Sequence, residues 1–229
     1  DRFKQAPEVG IPLYGSLINT VTRGARLRKF YLRSAATGLG KTRALVADAC
    51  NFASDEIYEP AFDMWIKNGK KEPTLFIATE QDLSEVQTMA MAFLADVNED
   101  HILTGKYEQV EEERVRYAAK KLSEISLWIE EMPDFSLRDV ENAIKKYIRE
   151  HDVRYVCFDY IQTSMKILEE ITRRSGGVKL REDNILFMLS TRLKDLCNQY
   201  GIFIISATQL NASYQDSETP DQNLLRGKL

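Results

Sequence analysis

Lys29-Phe30-Tyr31-Leu32-Arg33-Ser34-Ala35-Ala36-Thr37-Gly38-Leu39-Gly40-Lys41-Thr42 decides how this chain folds. Residues 29 to 34 read as a strand entering a glycine-containing turn, and Lys41 to about Ile57 follows with Ala, Leu and Val at helical spacing. The unit is strand, loop, helix. Gly40, Lys41 and Thr42 match the end of the P-loop pattern G-x-x-x-x-G-K-[ST], in which backbone N–H groups cradle phosphates, the lysine reaches the outer ones and the hydroxyl binds Mg²⁺. Ala35 occupies the first glycine position, and Gly38 adds freedom inside the loop. A glycine turn with an exposed lysine is the plainer alternative; the flanking strand and helix favour the phosphate loop, because they set a helix N-terminus against the anion. On this reading Ala36, Thr37, Gly38, Leu39, Gly40, Lys41, Thr42 and Arg43 form the binding loop for ATP with Mg²⁺.

Outward from the loop, apolar runs alternate with helical patterns. Thr74 to Thr79 is a short buried strand, and Leu83, Val86, Met89, Ala90, Phe93, Leu94 and Val97 repeat at helical spacing over 82–97. Gln109 to Ile125 is amphipathic and helical, with a charged face that reads as solvated surface. A strand near Leu127-Trp128-Ile129 precedes Ser136-Leu137-Arg138-Asp139, where a hydroxyl and a carboxylate three apart can cap a helix running to about Glu150. Val153 to Phe158 is the next strand. A helix from about Glu182 to Tyr200 stops at Gly201 and leads into the strand Ile202 to Ser206. Near-continuous apolar strands alternating with helices predict an α/β fold, a mainly parallel twisted sheet flanked by helices on both faces.

Composition narrows the function classes. The chain has 229 residues, 44 % of them hydrophobic and 29 % charged, as an ordinary globular domain has. Its net charge of −4 excludes a protein that coats nucleic acid by bulk electrostatics, so any such contact is local. Cys50, Cys157 and Cys197 are widely spaced in apolar surroundings, which reads as reduced core thiols rather than a disulfide frame or zinc site. No long uncharged apolar run and no signal-like start is present, so we expect no membrane contact and a cytoplasmic location. Residues 1–28 read as an N-terminal linker and lead-in segment and 29–229 as the main domain, which we expect to be incomplete at its C-terminus.

Three further residues sit where such chemistry needs them. Asp159 ends the apolar strand at Phe158, where a carboxylate can help hold Mg²⁺ in the crevice at the strand ends; alone it reads equally as a cap or turn former. Glu80 follows the strand Thr74 to Thr79 and can activate the attacking water, or can simply start a helix. Gln209 follows the strand Ile202 to Ser206, where its amide can sense the terminal phosphate, or is a loop glutamine.

Taken together, these residues resemble the RecA-like motor domain of the DnaB family of replicative helicases. Gly10-Ile11-Pro12 with Gly15 is similar to that family's opening motif, and Ala35 stands where the family commonly uses alanine. Thr79-Glu80 resembles the motif that carries its catalytic glutamate, and Asp159-Tyr160-Ile161-Gln162 its Walker B sequence D-Y-L-Q. Thr191 to Leu196 resembles R-S-L-K-x-L, and Thr208-Gln209-Leu210-Asn211 is similar to S-Q-L-N, with Thr208 in place of serine. The wording around Glu80 is more like divergent phage and mobile-element members. The likeness spans roughly residues 10 to 227.

The resemblance implies a RecA-like P-loop NTPase fold and a hexameric homo-oligomeric ring that hydrolyses ATP between subunits and translocates on single-stranded DNA, with a helicase loader or primase as a further partner. It implies Lys41, Glu80 and Gln209 as catalytic residues and Thr42 and Asp159 as Mg²⁺ ligands. It also implies a DNA-binding loop after the Walker B strand, carrying Lys166, Arg173, Arg174, Lys179 and Arg181 and loosened by Gly176-Gly177; the same run also reads as solvated surface. The family's N-terminal collar is not in the sequence, and its arginine finger is expected beyond residue 229. A recombinase or clock-type ATPase, a nucleotide-controlled assembly module and a small-molecule kinase are the rival readings.

Overall fold

The apolar runs pair side by side into one parallel sheet. The computed structural model describes residues 8–36, 38–68, 70–108, 110–174 and 181–209. Within them, β1 (Phe30–Ala35), β4 (Thr74–Ala78), β5 (Leu127–Glu131), β6 (Tyr155–Asp159) and β7 (Phe203–Gln209) form a five-stranded sheet in the order β1-β7-β6-β4-β5. Every pairing in it is parallel. The central strands β4 and β6 are buried along their whole length, while β1 and β5 at the edges are only partly covered.

Strand periodicity divides the interior in two. Because successive side chains point to opposite faces, Phe76, Cys157, Phe203 and Ile205 join one core, and Leu75, Ile77, Val156, Phe158 and Ile204 join the other. The first core is closed by α2 (Lys41–Ala53), α3 (Leu83–Ala95) and α5 (Glu111–Glu124), the second by α6 (Leu137–His151), α7 (Met165–Arg174) and α8 (Glu182–Tyr200). Burying each of the wholly enclosed Phe76, Phe158 and Phe203 contributes about 2 kcal/mol. The three cysteines are buried and free, as the sequence leads one to expect. Among the described residues, no helix is long and apolar enough to cross a membrane.

Several elements depart from expectation. α2 ends at Ala53 rather than near Ile57: Ser54 turns extended, its hydroxyl donates to the Glu56 carbonyl at 2.6 Å, and the chain enters an antiparallel hairpin, β2 (Glu56–Glu59) with β3 (Met64–Lys67). Neither hairpin strand was anticipated; nor were the short helices α1 (Ser16–Thr22) and α4 (Glu99–Thr104). β7 runs on to Gln209, which therefore ends the strand instead of following it. Residues 165–174, expected as loop, are the helix α7, because Ile167 and Ile171, one turn apart, are both buried in the second core.

Residues 10–25 form a strap over the first core. Ile11, Leu13 and Ala25 are buried in it, Ile11 bridges Ala25, and the Asn19 side chain closes the turn through the backbone N–H and carbonyl of Leu13, both at 2.7 Å. The two strap arms approach so closely that a Cβ on Gly10 would lie 2.2 Å from the Ala25 carbonyl oxygen, and one on Gly24 2.6 Å from that of Ile11. A buried ion pair locks the strap to β1 and α2. Arg33 donates from Nε to Asp48 Oδ2 at 2.9 Å and from Nη2 to Asp48 Oδ1 at 2.9 Å, and Nη2 also reaches the Tyr14 carbonyl at 2.9 Å. The Tyr14 N–H donates to Asp48 Oδ1 at 2.7 Å. Burial pushes the Asp48 carboxyl up to about 6, opposed by the Arg33 charge.

Candidate nucleotide site

All five parallel strands end on the same edge, and the motif residues gather there. Register places Ala78 beside Asp159 and Ala35 beside Gln209, so the turn after β1, the Thr79-Glu80 pair and the carboxylate of β6 are neighbours. The turn needs its glycines for backbone shape rather than for space: Gly38 and Gly40 have φ of 79° and 77°, and nothing lies within 4 Å of where a Cβ would stand. α2 then starts with no side-chain cap and no acidic residue in its first turn. Its first backbone N–H groups are thus left for an anion, which the helix dipole also favours.

A cleft of about 360 Å³ opens over this turn, walled by Gly38, Gly40, Lys41, Thr42, Glu80 and Tyr160. Lys41 folds back onto its own loop, donating to the carbonyls of Ala35 at 3.2 Å and Ala36 at 3.1 Å. Partial burial lowers its ammonium below the usual value, and the charges of Asp159 and Glu80 oppose that shift. Asp159 is 1 % exposed, and burial pushes its carboxyl up to about 6 against a hydrogen bond from Thr42. Its Oδ1 is buried with no hydrogen-bond partner among the described residues. A buried carboxylate oxygen without a donor, next to a hydroxyl, is a hard-oxygen pair that suits Mg²⁺.

The ends of β4 and β6 are tied by one hydroxyl. Thr79 Oγ1 donates to the Asp159 carbonyl at 2.8 Å and accepts from the Tyr160 N–H at 3.2 Å and Gln162 Nε2 at 2.8 Å. Beyond it the Glu80 side chain accepts from the Tyr160 hydroxyl at 3.0 Å, facing the cleft. Burial and the neighbouring carboxylate push the Tyr160 phenol up to about 12, so it remains a donor at neutral pH.

The sequence-predicted residues divide into groups. Lys41, Thr42, Glu80 and Asp159 converge on the cleft, with Gly38 and Gly40 lining it. Ala36 is buried under the turn and Leu39 is exposed on an adjoining groove. Arg43 is drawn away toward α4, donating to Glu99 at 2.7 and 3.2 Å across the outer end of the cleft. Thr37, Lys179, Gly176 and Gly177 lie outside the described residues, as do the side chains of Gln209 and Arg174.

The remaining cations share their surface with acids. Lys166 Nζ donates to the Asp134 carbonyl at 3.2 Å, Arg181 pairs with Asp183 at 3.2 Å, and Arg173 lines a cleft with Glu169 and Glu170. Sequence reasoning gave Tyr160, Gln162 and Thr79 no task of their own. The signal was their place in two quoted motifs, each with a hydroxyl or amide beside a carboxylate.

Comparison with known proteins gives the family and the fold. The family described as DnaB-like helicase C terminal domain matches residues 10–226. The SPbeta prophage-derived uncharacterized protein YorI of Bacillus subtilis is 41 % identical, covering 99 % of this chain and 46 % of that protein. The replicative DNA helicase DnaB of Rickettsia typhi is 20 % identical over 61 % of this chain and 26 % of its own length. The chain therefore spans less than half the length of these curated relatives. Among solved structures, the ATPase domain of G40P superposes with a TM-score of 0.73 at 16 % identity, covering 98 % of this chain and 73 % of that one. A DnaB-like replicative helicase studied with primase gives 0.73 at 16 % identity, over 98 % and 51 %. At that identity these two likenesses establish the RecA-type fold.

Proposed function

The chain belongs to the DnaB-like helicase C terminal domain family, and we propose that it is an ATP-hydrolysing motor domain that moves along single-stranded DNA. The observation that carries this reading is the convergence of Lys41, Thr42, Asp159 and Glu80 around one cleft at the carboxyl edge of a parallel sheet. Free N–H groups of α2 and the Lys41 ammonium bind the phosphates, once Lys41 exchanges its two loop carbonyls for them. Thr42 and Asp159 hold Mg²⁺, which when bound offsets charge on the outer phosphates. Glu80 takes the proton of the attacking water, whose oxygen bonds to the γ-phosphorus as the bond to the β–γ bridging oxygen breaks; ADP and phosphate result.

In this reading Gln209, at the end of β7, reports the terminal phosphate. Lys166, Arg173, Arg174, Lys179 and Arg181 supply the DNA face, and subunits close into a hexameric ring in the cytoplasm, with a primase or loader as partner. Family membership supports the ring and the DNA track, and the helix α7 carries Lys166 and Arg173. Glu80→Gln tests the chemistry. ATP binding by the full-length protein is retained, and hydrolysis falls by on the order of 10²-fold or more; wild-type turnover in that variant removes Glu80 from the mechanism.

A further inference from the structure

The residues that follow Asp159 have no part in binding phosphate or metal as described so far, yet two of them turn back toward β4. Tyr160 reaches the Glu80 carboxylate with its hydroxyl at 3.0 Å, and its backbone N–H reaches Thr79 Oγ1 at 3.2 Å. Gln162 donates its amide to the same Thr79 oxygen at 2.8 Å. Thr79 is 3 % exposed, so its hydroxyl is held by protein alone and fixes where the next residue leaves the sheet. Glu80, in contrast, is exposed and follows the last residue of the strand by two positions, and its side chain has several rotamers open to it. A carboxylate that must meet one water in one direction loses rate when it wanders, and an engaged oxygen restricts it.

We propose that Tyr160 is a positioning residue for Glu80: its hydroxyl anchors one carboxylate oxygen and leaves the other for the attacking water, while Gln162 and Thr79 fix the turn from which Glu80 projects. The inference rests on Glu80 being the group that activates water. It assigns to the second and fourth positions of Asp159-Tyr160-Ile161-Gln162 a task in trans-strand alignment, distinct from the metal-facing task of the first. Tyr160 also packs its ring against the first core, so loss of the ring and loss of the hydroxyl are separable.

The test uses steady-state ATP hydrolysis and nucleotide-binding titrations of the full-length protein and its variants Tyr160→Phe, Tyr160→Leu and Glu80→Gln. The expected result is that Phe and Leu at 160 both lower kcat by on the order of tenfold, with KM and nucleotide Kd unchanged and circular dichroism as in the wild type. Wild-type kcat in Tyr160→Phe, beside an inactive Glu80→Gln, overturns the positioning role while leaving Glu80 in place. Loss only in Tyr160→Leu means that the ring packs and the hydroxyl does nothing, which overturns it as well. A raised KM at unchanged kcat would move Tyr160 to substrate binding. An active Glu80→Gln instead removes the premise about Glu80. If Tyr160→Leu does not fold, Tyr160→Phe decides alone.

Discussion

α2, α3 and α6 are the helices that follow β1, β4 and β5 at the carboxyl edge of the sheet, and α2 begins differently from α3 and α6. α3 opens with a reciprocal box: Asp82 Oδ1 accepts from the Glu85 N–H at 2.9 Å and Glu85 accepts from the Asp82 N–H at 3.2 Å, while Glu131 takes the Leu83 N–H. α6 does the same with Ser136 and Asp139, at 3.1 and 2.9 Å, and Glu170 accepts from the Leu137 N–H at 2.8 Å. α2 has no such cap and places Lys41 and Arg43 in its first turn, against the helix dipole. A helix that forgoes capping at its N-terminus gives up about 1 kcal/mol. What it keeps is a set of donors that no side chain caps, where α3 and α6 engage theirs. α2 is held instead from its middle, through buried Asp48 and Arg33.

The sharpest way to break this contrast is to give α2 a cap. Gly40→Asp puts a carboxylate where the phosphates belong and forces an L-residue into a left-handed backbone, a strain of about 1–2 kcal/mol. Nucleotide affinity should fall by on the order of 10²-fold or more, measured by titration with a fluorescent ATP analogue; undiminished binding would remove the uncapped turn from the site. Next in size is the anchor. Asp48→Asn leaves Arg33 facing a neutral amide, and urea unfolding should show a loss of about 3 kcal/mol; a loss within error of zero would mean that the strap and α2 do not depend on the pair. The smallest effect belongs to a capped helix. Ser136→Ala should cost about 1 kcal/mol in thermal unfolding and leave nucleotide binding untouched. The Asp139 carboxyl is held below its ordinary value by the Ser136 N–H, so its half of the box is intact above the unfolded-state value and is lost only as pH falls through the folded one.

Much of this was legible in the sequence because it is local. The glycine spacing of 38 and 40, the period-2 and period-3.6 patterns, and the Ser136/Asp139 cap all act within a few residues. The end of α2 is not legible because no glycine or proline marks Ser54; the chain turns there with the Ser54 hydroxyl bonded to the Glu56 carbonyl. α7 is legible in principle, since Ile167 and Ile171 repeat at helical spacing, but its cations fit a DNA-binding loop equally well. The Arg33–Asp48 pair was not legible, because a strand and a helix 15 residues apart must first pack before the charges meet. The same holds for Tyr160 and Glu80, 80 residues apart and joined only by the strand order that sets β6 beside β4. Sequence motifs named both residues, and topology supplied the contact.

The strap has a mechanical consequence. Tension on the chain ahead of Gly10 meets the Ile11–Ala25 bridge, where the bare backbones of Gly10 and Gly24 let the two arms lie close. The load passes through the Tyr14 peptide, gripped at its N–H by Asp48 and at its carbonyl by Arg33, and so into α2 fewer than two turns from Thr42. A pull at one end of the domain is thereby delivered to the helix that carries the phosphate turn.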